Sequence, residues 1–315
     1  MKPGRGLTGA FAAALPAAAL IAFLSPSAGA AAVRAGAVRT AAAAPAVCGS
    51  SSRPALAARL ARDIQAARRG RVSAVAVEVD DPGLKLVCRL DSSWHFDSAS
   101  VVKVTILGAL LRRAQDQHRR LTRAEKALAW EMITRSDNDD ASALWAEVGR
   151  GSLQHFLNLA RMTHTVLGPG GLWGLTQITA ADETLLLRLL LEENPVLDTS
   201  SREYALNLMA HVIPAQRWGV PVGAPTSLTA HVKNGWLPLA THGWRIHSIG
   251  CFTGRGGGYS IVVLTQDNPS MPYGIATIEA IAKVVNRDLN PAATARVPSS
   301  GLSPSWGTPD ERIPA

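Results

Sequence analysis

The sequence predicts an α+β fold: an antiparallel five-stranded sheet flanked by helices, with an all-helical domain inserted between the two stretches of chain that build the sheet. Three observations carry this. Strand-like patterning marks 72–79 and 85–90 near the start and 228–232, 244–252 and 259–265 near the end. From Ser98 onward the spacing of apolar residues is helical for over a hundred residues. That central block carries Thr122-x-x-Glu125, Thr179-x-x-Asp182 and Ser200-x-x-Glu203, each with the form of a capping box at a helix start.

Taken in order, residues 1–30 read as a signal peptide: Lys2 and Arg5, an apolar run from Leu7 to Leu24, then Ala28-Gly29-Ala30. Pro16 and the absence of a stop-transfer pattern argue against a retained anchor, so no membrane span is expected after cleavage. An Ala-rich segment, 31–50, is expected to be disordered. A helix follows over 52–69, then a hairpin turning at Asp81-Pro82-Gly83. Within the helical block, the polar run from Thr134 to Asp140 separates two helices, with Asp139 placed to cap the second, and Leu167-Gly168-Pro169-Gly170-Gly171 is a loop. The last two strands join through the glycine-rich 254–258. Those glycines precede a strand rather than a helix, so they do not form a phosphate cradle. A helix over 273–289 closes the domain, and the Pro- and Ser-rich tail 291–315 is expected to be disordered. The organisation is thus one domain over 51–290, its α/β layer from 51–97 and 226–290, its helical layer from 98–225.

Without residues 1–30 the chain holds 30 basic against 24 acidic residues, about +6. The arginines are spread along amphipathic stretches such as Leu111 to Arg123, which suits a solvated helix face and no nucleic-acid partner. The eight histidines form no ligand pair, so neither a metal nor another cofactor is expected. A monomer is the default expectation. Three cysteines in an exported chain permit one disulfide. Pairing Cys48 with Cys88 would tie the loose segment to the sheet, leaving Cys251 as a small buried hydrophobe.

Three short motifs carry chemistry. Ser100-Val101-Val102-Lys103 opens an apolar helix, with its two polar side chains on one face at i and i+3. The helix amino end favours an alkoxide and an oxyanion at Ser100. Desolvation beside Val104, Ile106 and Leu107 would lower the proton affinity of Lys103, as a general base at neutral pH requires. Beyond the leader only Lys85, Lys103, Lys126, Lys233 and Lys283 occur among many arginines, and lysine can release its proton where arginine cannot. Ser136-Asp137-Asn138 lies in the loop between two helices. Lys233-Asn234-Gly235 lies at a strand end, where the glycine permits close approach of a ligand. Alone, each is weak: a snorkelling lysine, turn formers and an ordinary strand end explain them as well.

In this order, each on the expected kind of element, the motifs resemble those of the class A β-lactamase and penicillin-binding-protein superfamily, whose Ser-x-x-Lys, Ser-Asp-Asn and Lys-Thr-Gly line one cleft. The resemblance runs from about Ala55 to Asp288 and looks closest to β-lactamase-related serine hydrolases of actinobacteria. It implies a β-lactamase/transpeptidase-like fold with Ser100 as nucleophile and Lys103 as its base. Ser136 would relay a proton to the departing amine, Asn138 would hold the substrate amide, and Lys233 would meet its carboxylate. The oxyanion would rest on the N–H groups of Ser100 and Trp236. An exported serine acyl-enzyme hydrolase is expected, acting on a β-lactam-like or D-Ala-D-Ala-like amide derived from a small molecule or peptidoglycan.

Two departures shape that expectation. Asn234 stands where the family usually carries a hydroxyl residue; its NH₂ could donate to a substrate carboxylate instead. More seriously, Thr163 to Thr179 contains no carboxylate, whereas class A enzymes hold a water-activating glutamate there. Asp182 and Glu183 follow in a first helical turn, where capping would explain them. Weak β-lactam turnover is therefore expected, against the alternatives of a working β-lactamase or a non-catalytic cell-wall binding protein. Trp173 and Gln177 are further candidates to line the cleft, and Arg217 and Arg245 to assist Lys233.

Overall fold

The computed structural model describes residues 44–239, 241–255 and 257–291. The expected signal peptide, the first part of the segment 31–50 and all but the first residue of the tail lie outside the described residues.

The elements follow as β1 (Val47–Ser50), α1 (Pro54–Arg68), β2 (Ala74–Asp81), β3 (Leu86–Leu90), β4 (Phe96–Asp97), α2 (Val102–Asp116), α3 (Arg123–Thr134), α4 (Asn138–Leu159), β5 (Gln177–Ile178), α5 (Ala180–Leu191), α6 (Thr199–Ala210), β6 (Thr229–Pro238), β7 (Trp244–Gly254), β8 (Gly257–Asn268) and α7 (Met271–Leu289). The main sheet is antiparallel in the order β1-β3-β2-β8-β7-β6, and β4 pairs with β5 in a small second sheet. The sheet has six strands rather than five. The additional strand, β1, falls inside the segment expected to be disordered, and tertiary pairing rather than local pattern makes it: Cys48 lies opposite Cys88 on β3, and the two are joined in a disulfide. Cys251 is free and buried in β7, where burial pushes its thiol up to about 12.

Cross-strand partners share a sheet face, so register alone sorts the side chains. Asp80, Ser260, Cys251 and His231 form one row across β2, β8, β7 and β6. Asp80 pairs with Arg188 of α5 at 2.8 Å, which shows that this row faces the helical layer. One residue along, Tyr259 donates its hydroxyl to Asn286 of α7 at 2.7 Å, so the alternate rows face α7. On β6, Lys233 and Gly235 therefore look toward the helical layer, while Asn234 and Trp236 look away from it. The Lys-Asn-Gly triplet sits inside β6 rather than at its end, because the strand continues to Pro238 along the sheet edge, where proline is tolerated.

Helix α2 threads the middle of the fold, with Val102 to Leu111 all buried. Gly108 makes this packing possible: a Cβ there would meet the Phe156 ring of α4 at 2.4 Å. The expected capping box at Thr122 is complete, with both Thr122 and Glu125 side chains bonded to the backbone, and Thr179 caps α5 through the N–H of Asp182. Two caps fall elsewhere than expected. Helix α4 is capped by Asp137, not Asp139, because Ser136 in a left-handed conformation (φ 60°) turns the chain two residues earlier. Helix α6 is capped by Asp198, which accepts from the N–H of Ser201, while Ser200 donates its hydroxyl to Asp198.

Candidate active site

Ser100 lies in a short 3-10 turn, Ala99–Val101, that leads directly into α2. The turn is pinned by Ser98, whose N–H donates to Thr176 O at 2.8 Å, and by the Val101 N–H to Ser98 O at 3.1 Å. Ala99 adopts a left-handed φ of 46°, which presents the next residue at the surface of the turn. Ser100 is half-buried. Edge strand β6 runs so close to it that a Cβ on Gly235 would come within 3.0 Å of the Ser100 nitrogen, the Val101 nitrogen and Ser98 O. This is the physical reason for glycine in the third motif.

Lys103, the second residue of α2, is completely buried. Its Nζ donates to Ser136 O at 2.6 Å, to Asn138 Oδ1 at 2.7 Å and to Ser136 Oγ at 3.2 Å. The Lys233 Nζ, also fully buried, donates to the same Ser136 Oγ at 2.9 Å and to Asn234 O at 2.9 Å. A single hydroxyl thus joins two buried amines. Burial first, and then the neighbouring Lys233 charge, hold the Lys103 amine well below its ordinary proton affinity; the Asp137 and Asp140 carboxylates oppose them. Burial alone brings Lys233 down to about 7. Ser136 O and Asn138 Oδ1 can only accept. When Lys103 is neutral, its two hydrogens suit those oxygens and its lone pair is free to take a proton from a hydroxyl.

The Asn234 carbonyl faces off the sheet edge toward Lys233, so strand parity turns the N–H of Trp236, two residues on, to the same side. Ser100, Lys103, Ser136, Asn138, Lys233, Gly235 and the Trp236 backbone are thereby brought together. The Asn234 side chain is not: it faces the other side of the sheet and donates to Gln216 O at 2.8 Å and Trp218 O at 2.9 Å. Its expected contact with a substrate carboxylate is not available in this arrangement.

Of the weaker candidates, Trp173 is part of the site. Its ring centroid stands 4.8 Å from the Lys103 Nζ, and its indole N–H donates to Ser142 Oγ on α4 at 3.1 Å. Gln177 instead donates to Asp97. Arg245 is buried, paired with Asp97 at 2.8 Å and bonded to the backbone of the β6–β7 connection, and Arg217 holds Ala210 O and Ala230 O, so neither offers a free fork. Capping does not account for the two acids of α5. The Asp182 carboxylate accepts from the His164 N–H and the Thr165 hydroxyl, fastening the start of the loop. Glu183 is fully buried with neither oxygen partnered, and burial raises its pKa well above the usual carboxylate range. The 163–179 loop ends against the nucleophile turn with no acid of its own. Among the described residues no group of His, Cys, Asp and Glu could hold a metal ion, and no helix is long and apolar enough to cross a membrane.

Fold and site together have the form of the β-lactamase-fold serine hydrolase family. Residues 122–289 match the Beta-lactamase enzyme family, and the chain belongs to that family. Its fold is similar to a class A β-lactamase from Bacteroides cellulosilyticus, at 16% identity and TM-score 0.64, covering 74% of this chain and 98% of that one. A β-lactamase from Sphaerobacter thermophilus is similar at 20% identity and TM-score 0.62, covering 76% and 99%. PBP-A is similar at 16% identity and TM-score 0.64, covering 74% and 96%. At these identities the likeness is one of fold. No curated protein matches the sequence.

Proposed function

We propose that the chain is an exported serine acyl-enzyme hydrolase whose substrate is a β-lactam-like or D-Ala-D-Ala-like amide, and that it releases β-lactam products slowly. The observation that carries this is the buried chain Lys103–Ser136–Lys233 beside Ser100. In acylation the Ser100 Oγ attacks the carbonyl carbon as its proton passes to the neutral Lys103 amine. The oxyanion forms against the Ser100 and Trp236 N–H groups. As the C–N bond breaks, Ser136 gives its proton to the leaving nitrogen and recovers one from Lys103. A substrate carboxylate beside Lys233 raises the proton affinity of that amine, which then meets it as a cation. The disulfide between Cys48 and Cys88 supports export to an oxidising compartment.

Slow release rests on the loop. Hydrolysis of the Ser100 ester needs an activated water, and residues 163–179 provide no carboxylate to activate it. A missing general base typically costs about 10²–10⁴-fold on its step. Stopped-flow with a chromogenic cephalosporin, sampled by quenched intact mass, should show a stoichiometric burst, accumulation of the adduct and slow turnover. Fast steady turnover without an adduct would favour a working β-lactamase; neither turnover nor adduct would favour a non-catalytic binding protein.

A further inference from the structure

Trp173 is fastened at both ends of the site. Its carbonyl accepts from the Ser98 hydroxyl at 3.4 Å and from the Thr176 N–H at 3.0 Å, and Gly174 behind it rests on Ala99, the residue before the nucleophile. Its indole N–H reaches Ser142 in the first turns of α4, and Ser142 in turn donates to Asn138 O at 2.9 Å. The ring so held lies over the Lys103 Nζ. That nitrogen has three protein acceptors within 3.2 Å, and Lys103 has no exposed surface.

We propose that Trp173 is a positioning residue that sets the lifetime of the acyl-enzyme, its ring closing the side of Lys103 from which a hydrolytic water would approach the Ser100 ester. The proposal rests on the acyl-enzyme reading above and adds its control. Water attack at the ester carbon breaks the C–Oγ bond and returns a proton to Ser100 only if a base receives the proton of the water first. Lys103, three residues on from Ser100, is the base that the acylation step uses, and the indole stands against it. The loop that lacks an activating acid thus also carries the group that keeps water out. The same ring keeps Lys103 desolvated, which favours its neutral form during acylation. One side chain therefore assists formation of the ester and opposes its hydrolysis.

The test is the decay of a penicillin G adduct, followed by intact mass after free penicillin is removed, in wild type, Trp173→Ala, Trp173→Phe and Ser142→Ala. Trp173→Ala should form the adduct and lose it at least about tenfold faster, a threshold set below the about 10²–10⁴-fold that a fully positioned general base supplies. Its acylation rate should also require higher pH, because Lys103 becomes hydrated. Trp173→Phe keeps a ring over Lys103 but lacks the N–H that Ser142 holds, and Ser142→Ala frees the indole, so both should fall between wild type and Trp173→Ala. Unchanged or slower decay in Trp173→Ala overturns the proposal; should that variant not fold, unchanged decay in Ser142→Ala overturns it. A wild-type protein that forms no adduct is a separate result, visible before any variant is compared, and removes the acyl-enzyme reading together with this one.

Discussion

Replacing Lys233 by methionine should stabilise the fold at low pH and lose that advantage as pH rises. Lys233 is wholly buried and its pKa falls from 10.5 to about 7. At about 1.4 kcal/mol for each tenfold change, that fall corresponds to about 4–5 kcal/mol by which a protonated Lys233 weakens the folded state. Methionine fills similar volume without charge, but gives up the bonds to Ser136 Oγ and Asn234 O, each contributing about 1 kcal/mol. The variant should therefore be more stable than wild type by about 2–3 kcal/mol near pH 6. The sign follows from which state holds the proton. Below about 7 both folded and unfolded chains hold it, and the full penalty is present. From about 7 to 10.5 only the unfolded chain holds it, so raising the pH stabilises wild type. Near pH 9 roughly 2 kcal/mol of the penalty is left, and the gap between the two proteins should have closed by about 2–3 kcal/mol. Urea unfolding of both at the two pH values measures this, and their difference cancels other titrating groups. A gap that does not close, or a variant less stable near pH 6, would refute a buried low-affinity amine at this position.

The site makes two further predictions with different readouts. Lys103→Arg retains charge but cannot accept a proton, so acylation should fall by about 10²–10⁴-fold while the thermal transition persists; wild-type acylation would leave Lys103 a structural role only. In the wild type, acylation should rise with pH through an apparent pKa well below 10.5, because only neutral Lys103 acts as base. The Cys48–Cys88 bridge closes a separation of 40 residues, and Cys48→Ser should lower stability by about 4 kcal/mol in the chain-entropy account, measured by urea unfolding under non-reducing conditions. A change under about 1 kcal/mol would mean the segment before α1 is held by its strand pairing alone.

The layers and the catalytic cluster were legible because their signals are local. The step from strand to helical periodicity at Ser98 separates the layers, and the i, i+3 spacing puts Ser100 and Lys103 together whatever surrounds them. Strand β1 was not legible, since Val47-Cys48-Gly49-Ser50 has no period of its own and is made a strand by β3 and the disulfide. The cap of α4 was missed because Asp137 and Asp139 are chemically alike, and the choice between them is made by the backbone at Ser136. Asn234 is a different case. Strand parity sets its side chain opposite that of Lys233, and the bonds to Gln216 O and Trp218 O that keep it there depend on a connection distant in sequence. The placing of Trp173 over Lys103 depends on a loop conformation that no period encodes.

The central claim is that Ser100 is a working nucleophile. Peptide mapping by mass spectrometry after treatment with penicillin G tests it most directly. One penicilloyl group per chain is expected, on the peptide containing Ser100, and none in Ser100→Ala. An adduct on another residue, or an undiminished adduct in Ser100→Ala, would contradict it.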